Sequence, residues 1–298
     1  MGRKKHKPRA SASVRREPAI VESLAIEVPP ERAWRALTSP RDLAQLVLGR
    51  VEMGATPGAG FRWQWGVWET VAPKLRGRGH YTWQGQVLDC VPGSTLVLGS
   101  EPVVTFTVKG EGASALVTVV QGSAPAGAKL EDYEYGWADF LLRLKTLLET
   151  EHTQNEVLLR ALMRATPQQV YRAWLSPRVL AKLIPGKAKL RARVGGRFTW
   201  QHKHGQHVHQ GTFLELARNR TLAFSWESSE GPKLRLGQLA SEVRIGMHRA
   251  PYGTLVSVHH TGLLRMNPGQ LFAQRTFWNR LLERLRCYFY FKGKIRAR

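Results

Sequence analysis

The chain has 298 residues, 45 Lys+Arg against 22 Asp+Glu and a formal charge of +23. Hydrophobic residues make up 43%, which excludes a wholly disordered basic protein and leaves room for one large domain or two of about 150 residues. No window approaches the roughly 18 consecutive apolar residues of a membrane span.

Taken in chain order, residues 1–16 hold seven basic residues and no acid, beginning with Arg3, Lys4 and Lys5. They read as a basic disordered tail with no apolar run behind it, so not as a secretory signal. His6 stands where N-myristoylation needs Ser or Thr. The two cysteines, Cys90 and Cys287, form neither a disulfide framework nor a metal-knuckle spacing. A soluble, cytoplasmic protein is expected.

From residue 17 onward the chain repeats itself. Pro30–Gly49 and Pro167–Gly186 match at an offset of 137, with Arg35/Arg172, Ser39/Ser176, Pro40/Pro177, Arg41/Arg178 and Gly49/Gly186 among the identical pairs. An eleven-residue insertion within about 66–82 of the first copy then changes the offset, and Gly85/Gly211 and Leu96/Leu222 match. Each copy predicts a strand (21–28; 157–163) and a helix opened by Pro30 or Pro167. A second short helix follows the Ser-Pro step, and a Gly-rich turn leads to five strands (around 60–65, 81–91, 95–99, 103–109 and 115–120 in the first copy). A long helix closes each copy, with Trp137, Phe140, Leu141, Leu144 and Leu148 matching Trp278, Leu281, Leu282, Leu285 and Phe289 at helical spacing.

The fold class is therefore α+β: two tandem domains, each a curved antiparallel sheet around a long C-terminal helix. The domains are 17–150 and 151–291, with a basic C-terminal tail at 292–298. Residues 17–150 carry a net −3 and residues 151–298 a net +19, so a polyanion meets the second copy and the tails first.

Several residues carry a family resemblance. They are Pro30 with Trp34 and Pro167 with Tyr171, the Ser-Pro-Arg steps, and Gly58/Phe61 and Gly195/Phe198 at strand starts. Gln121-Gly122 and His259-His260-Thr261-Gly262 precede the last helices, the first of which begins at Gly136-Trp137. The chain resembles the helix-grip superfamily of START-like and Bet v-like proteins, and most of all the heat-shock protein 90 ATPase activator homologue family. The resemblance implies a hydrophobic cavity in each copy, serving ligand carriage, regulation, cyclase chemistry or chaperone contact. Fold alone does not choose among these.

The residues narrow the choice. Phe61, Trp63, Trp65, Trp83 and Trp137 in the first copy are candidate cavity walls, as are Phe198, Trp200, Phe213 and Trp278 in the second. The first-copy insertion is expected to cap its own cavity. His202, His204, His207 and His209 flank Gly205-Gln206; a two-residue turn there pairs His204 with His207, His202 with His209, Trp200 with Gly211 and Phe198 with Phe213. Four imidazoles on one face suit Zn²⁺, Ni²⁺ or Cu²⁺. Ligands on one ribbon do not readily wrap a tetrahedron, however, and the first copy lacks them, so no cofactor beyond such an ion is expected.

Lys187, Lys189, Arg191 and Arg193 share parity and, if extended, form one positive stripe fit for phosphates. No helix-turn-helix, zinc finger or RNP-like run accompanies it, so nucleic-acid contact would be non-specific. No nucleophile elbow, phosphate loop or His-Glu-x-x-His is present. Glu69, Asp89, Glu215 and Glu227 are carboxylates that could face a cavity, a placement the sequence does not show, while Glu131, Asp132, Glu134 and Asp139 are explained by the dipole of the first long helix. A non-enzymatic binding protein is expected, for a hydrophobic small molecule or a partner protein, with nucleic-acid or anionic-surface binding as the alternative and a cyclase- or hydrolase-like enzyme behind it.

Overall fold

A computed structural model describes residues 20–71, 82–122, 128–151, 153, 155–184, 186–202, 208–228, 241–264 and 266–293. In the first copy, β1 (Ile20–Ile26) leads to α1 (Pro30–Thr38) and α2 (Pro40–Val47). Then come β2 (Val51–Met53), β3 (Gly60–Gln64), α3 (Gly66–Val71), β4 (Thr82–Val91), β5 (Thr95–Gly99), β6 (Val104–Glu111), β7 (Ser114–Gln121) and α4 (Leu130–Glu149). The second copy runs β8 (Val157–Met163), α5 (Pro167–Trp174), α6 (Pro177–Leu183), β9 (Gly186–Leu190), β10 (Arg197–His202), β11 (Val208–Ala217), β12 (Thr221–Ser228), β13 (Ser241–Ala250), β14 (Gly253–Thr261) and α7 (Pro268–Tyr290). Each copy forms a seven-stranded sheet with the same order, β1-β7-β6-β5-β4-β3-β2 and β8-β14-β13-β12-β11-β10-β9. The described pairings are antiparallel.

Local chemistry accounts for these elements. In each Ser-Pro step the serine caps and the proline opens the helix: Ser39 Oγ accepts from the Asp42 amide at 3.2 Å and Ser176 Oγ from the Val179 amide at 3.3 Å. α5 and α7 begin with full capping boxes, Thr166 with Gln169 and Asn267 with Gln270. β7 and β14 alternate strictly between buried and half-buried residues, as strands covered on one face by a helix require.

The repeat extends to a packing device. Phe61 lies directly opposite Gly85 and Phe198 opposite Gly211, and each ring covers its glycine. A Cβ at Gly85 would sit 2.0 Å from the Gly99 carbonyl oxygen, and one at Gly211 1.8 Å from that of Ser225, so only glycine allows the strands to close up there. A register shift follows at Val87/Asp89 and again at Phe213/Glu215, bending both sheets at equivalent places.

Four expectations are corrected. Each copy has six strands after its short helices, because the three-residue β2 and the basic β9 also pair. The first long helix begins at Leu130, six residues before Gly136. Trp200 pairs with His209, and Phe198 with Gly211 rather than Phe213, so the β10–β11 register differs by two residues from the one a Gly205-Gln206 turn dictates. Even parity is kept, so the faces are unchanged. That turn itself, with His204 and His207, lies outside the described residues, as does the tail holding Arg3, Lys4 and Lys5.

The fourth correction concerns the insertion. Its start does not cover the first grip but forms α3, whose Val67 and Trp68 belong to the core of the second copy; the rest of the insertion, residues 72–81, lies outside the described residues. Trp68 meets Tyr290 at 5.1 Å and Phe291 at 5.6 Å, edge to face, and its indole N–H donates to Glu283. Trp68→Ala should remove about 3–5 kcal/mol of stability, read from the midpoint of chemical unfolding. A loss below about 1 kcal/mol would mean that α3 merely rests on α7. Among the described residues, no helix is long and apolar enough to cross a membrane.

Candidate functional site

Three places concentrate chemistry: the grip interiors, the seam between the copies, and the basic surface of the second copy. In the first grip Trp63 is fully buried and directly opposite Trp83. Its ring stacks on Phe140 of α4 at 5.9 Å, meets Trp83 at 5.1 Å and lies 6.3 Å from Phe106. Phe61 and Trp137 both meet Trp83, at 4.8 and 5.9 Å. Trp65, just past the end of β3, is half-buried and packs against the cores of both copies. The predicted wall residues thus come together, with Phe106 and Phe140 added, and they fill the space against one another.

The second grip is denser in aromatics. Phe198, Trp200 and Phe213 pack with Phe224 and Trp226, and Trp226 meets Trp278 at 4.8 Å. His209 is buried in this set, stacked on Trp226 at 4.6 Å and in ring contact with Phe277 at the same distance. That places His209 inside the second grip. No metal-holding group of three His, Cys, Asp or Glu occurs among the described residues. The buried indole N–H groups of Trp63, Trp174, Trp200 and Trp226 have no acceptor among the described residues. Each is a donor whose burial is costly unless something accepts from it.

One polar pair is repeated with a change of chemistry. Trp137 donates its indole N–H to Gln121 Oε1 at 2.7 Å, and Trp278 donates to His260 Nδ1 at 3.0 Å. Gln121 faces the first residue of β1 and His260 the first residue of β8, so the two acceptors are equivalent in register. His260 Nε2 therefore carries the proton and donates to Ser241 Oγ at 2.9 Å, which donates to the Trp226 carbonyl. Burial, with His259 beside it, pushes the His260 pKa down to about 3.

The seam is built on charges inside two leucine-rich helices. Asp139 of α4, 1% exposed, accepts from the Leu162 amide at 2.9 Å and from Arg286 of α7. Arg143 of α4 donates to Glu283 of α7 at 2.8 Å, and Arg286 pairs with Glu283 at 3.3 Å. Two carboxylates and two guanidiniums make a neutral quartet. Tyr135 donates its hydroxyl to the Leu162 carbonyl at 2.6 Å, and burial raises its pKa. At the rim Asp132 takes Arg164, and Tyr252 donates to Glu22 at 2.6 Å. Asp132 and Asp139 therefore act as ligands of arginines from the second copy, which the helix dipole alone does not explain.

Of the other carboxylates, Asp89 and Glu227 are exposed and Glu215 pairs with Arg244 at 2.5 Å; the Glu69 side chain lies outside the described residues. The basic surface follows β9, the last strand of the second sheet, with Lys187 and Lys189 exposed on one side. The strand ends at Leu190, and the chain folds back so that Gly196 presses against Arg191. The stripe is therefore hooked: Lys189, Arg191, Arg193 and Arg197 surround a cavity of about 580 Å³. A second cavity, of about 600 Å³, opens between the two copies.

The family model of activator of Hsp90 ATPase homologue 1-like proteins matches residues 27–149 and again 164–290. Among solved structures, the Aha1 dimer from Colwellia psychrerythraea is 16% identical with a TM-score of 0.41, covering 47% of this chain and 99% of its own. DynU16, from the dynemicin biosynthetic locus, is 18% identical with a TM-score of 0.37, covering 94% of this chain and 98% of its own. An HSP90 activator from Plasmodium falciparum is 14% identical with a TM-score of 0.36, covering 44% and 92%. Among curated proteins none matches the chain.

Proposed function

Since the chain belongs to the family of activator of Hsp90 ATPase homologue 1-like proteins and carries the family's domain twice, we propose that it is a cytoplasmic, non-enzymatic binding protein that regulates a partner protein. The observation that carries this reading is the filling of both grips by the chain's own aromatics, with the basic residues gathered outside, on the hooked edge of β9. Such an edge suits a partner with an acidic face, steering its approach and fixing its orientation. The chaperone ATPase that names the family is the first partner to test.

The full chain added to Hsp90 should change its ATP hydrolysis rate and co-sediment with it. Reversing Lys187, Lys189, Arg191 and Arg193 to Glu should weaken the complex by at least about ten-fold. An unaltered rate with no co-sedimentation would remove this partner. Transfer of the same charge-dependent binding to duplex DNA would favour nucleic acid at that edge.

A second reading is favoured by the indole donors of Trp174, Trp200 and Trp226, all in the second grip. A hydrophobic small molecule bearing acceptor atoms would satisfy them. It would quench tryptophan fluorescence saturably, whereas a partner protein on the outer edge would not.

A further inference from the structure

The cavity between the copies has features that partner binding at β9 does not use. Three helices meet there: α2 of the first copy, α4 behind it and α7 of the second copy, with the middle of β8 beneath. Five arginines line it, Arg41, Arg143, Arg160, Arg275 and Arg280, and among the described residues no carboxylate does, although Glu151 acts on Arg275 from nearby. Arg143 is compensated within the quartet, and the like charges of the other four around a single concavity repel one another and are relieved by an anion.

The arginines are not all held alike. Arg275 is half-buried, donates to the Thr150 carbonyl at 3.1 Å, and has its pKa lowered by burial. Arg143 is 8% exposed; its Nη1 is engaged by Glu283, while Nη2 has no hydrogen-bond partner among the described residues. That Nη2 is itself buried and Arg143 belongs to the neutral quartet, so the charge the cleft offers a ligand comes from the other arginines. Arg41, Arg160 and Arg280 make no ion pair among the described residues. The lining also holds apolar side chains, Leu46, Leu147, Leu159 and Phe272, the last 61% exposed.

We propose that this interdomain cleft binds a phosphate-bearing small molecule, its charged groups on the arginines and its non-polar body on the leucines and Phe272. Several guanidinium forks suit a multiply charged phosphate better than a single carboxylate, because each fork can take two oxygens. The volume fits a molecule larger than free phosphate.

Inorganic tripolyphosphate is the probe, titrated calorimetrically into the full chain at low salt. Saturable binding at one site is expected, weakened at least about ten-fold when Arg160 and Arg280 are both changed to Ala. Those two side chains lie outside the Asp139–Arg143–Glu283–Arg286 quartet, so the thermal unfolding midpoint without ligand should stay put. The pair Lys189→Ala and Arg191→Ala, on the β9 edge, should leave the affinity within about two-fold. Absence of binding by the unmodified chain overturns the proposal, as does binding that survives the cleft pair or falls equally with the edge pair. None of these outcomes depends on whether Hsp90 responds.

Discussion

Glu283→Ala is expected to lower the stability of the whole chain by about 3–5 kcal/mol, among the largest effects of any single change. Glu283 holds Arg143 at 2.8 Å and Arg286 at 3.3 Å and accepts from the Trp68 indole. Removing it leaves two buried guanidiniums to share Asp139 and deprives an indole of its acceptor. The burden falls on the partners left behind, so the double change Arg143→Leu with Glu283→Leu should cost markedly less than the single one. Denaturant unfolding of Glu283→Ala, of the double variant and of Arg143→Leu and Glu283→Leu each alone decides the matter. If the double change proves additive, each residue contributes through its own packing and the quartet is not a unit.

Acid is expected to destabilise the second copy through His260. Its folded pKa, about 3, lies below the unfolded value of 6.5. Above pH 6.5 the ring is neutral in both states and the shift has no effect on stability. Below it the unfolded chain takes up a proton that the folded chain refuses. Stability should then fall by about 1.4 kcal/mol per pH unit until the folded pKa is reached. The first copy supplies the control, since Gln121 accepts the same tryptophan donor with a group that does not titrate. His260→Gln should hold near-normal stability at pH 7.5 and flatten the decline between pH 6.5 and 4. Carboxylates titrate at the low end of that window in both proteins, so the difference between the two curves is the readout. Parallel curves would show that His260 is protonated without penalty.

The tandem architecture was legible because the same chemistry is spelled twice: Ser-Pro steps that cap and open helices, glycines under phenylalanines, and an apolar stripe at helical spacing. What escaped depends on contacts between the copies. At the level of sequence Asp139 is one more acid early in a helix, and only the approach of α7 makes it a ligand of Arg286. A signal was present, since Asp139 with Arg143 and Glu283 with Arg286 are opposite charges at helical spacing within leucine-rich segments. The strands β2 and β9 escaped for a different reason. Val51–Met53 is too short for its alternation to register, and β9 alternates Lys with Ala and Leu, which reads as charge before it reads as strand. The β10–β11 register turned on a choice of turn length, which parity leaves open by two residues. Of the candidate site, the aromatic residues were found by type and period. The cleft was invisible, because Arg41, Arg143, Arg160 and Arg280 belong to four elements that only the docking of the copies brings together.

The path of α3 has a consequence for biosynthesis. Trp68 is encoded in the first third of the chain, yet its acceptor, Glu283, follows 215 residues later. At about 5–20 residues per second, a ribosome takes on the order of 10–40 s to cover that distance. Throughout it the first domain can fold with Trp68 still unsheltered, an apolar side chain waiting for a surface not yet made. The nascent chain therefore offers a timed, sticky segment to whatever chaperone attends the ribosome, and silent codon changes that slow translation of the second half should lower soluble yield without altering a residue.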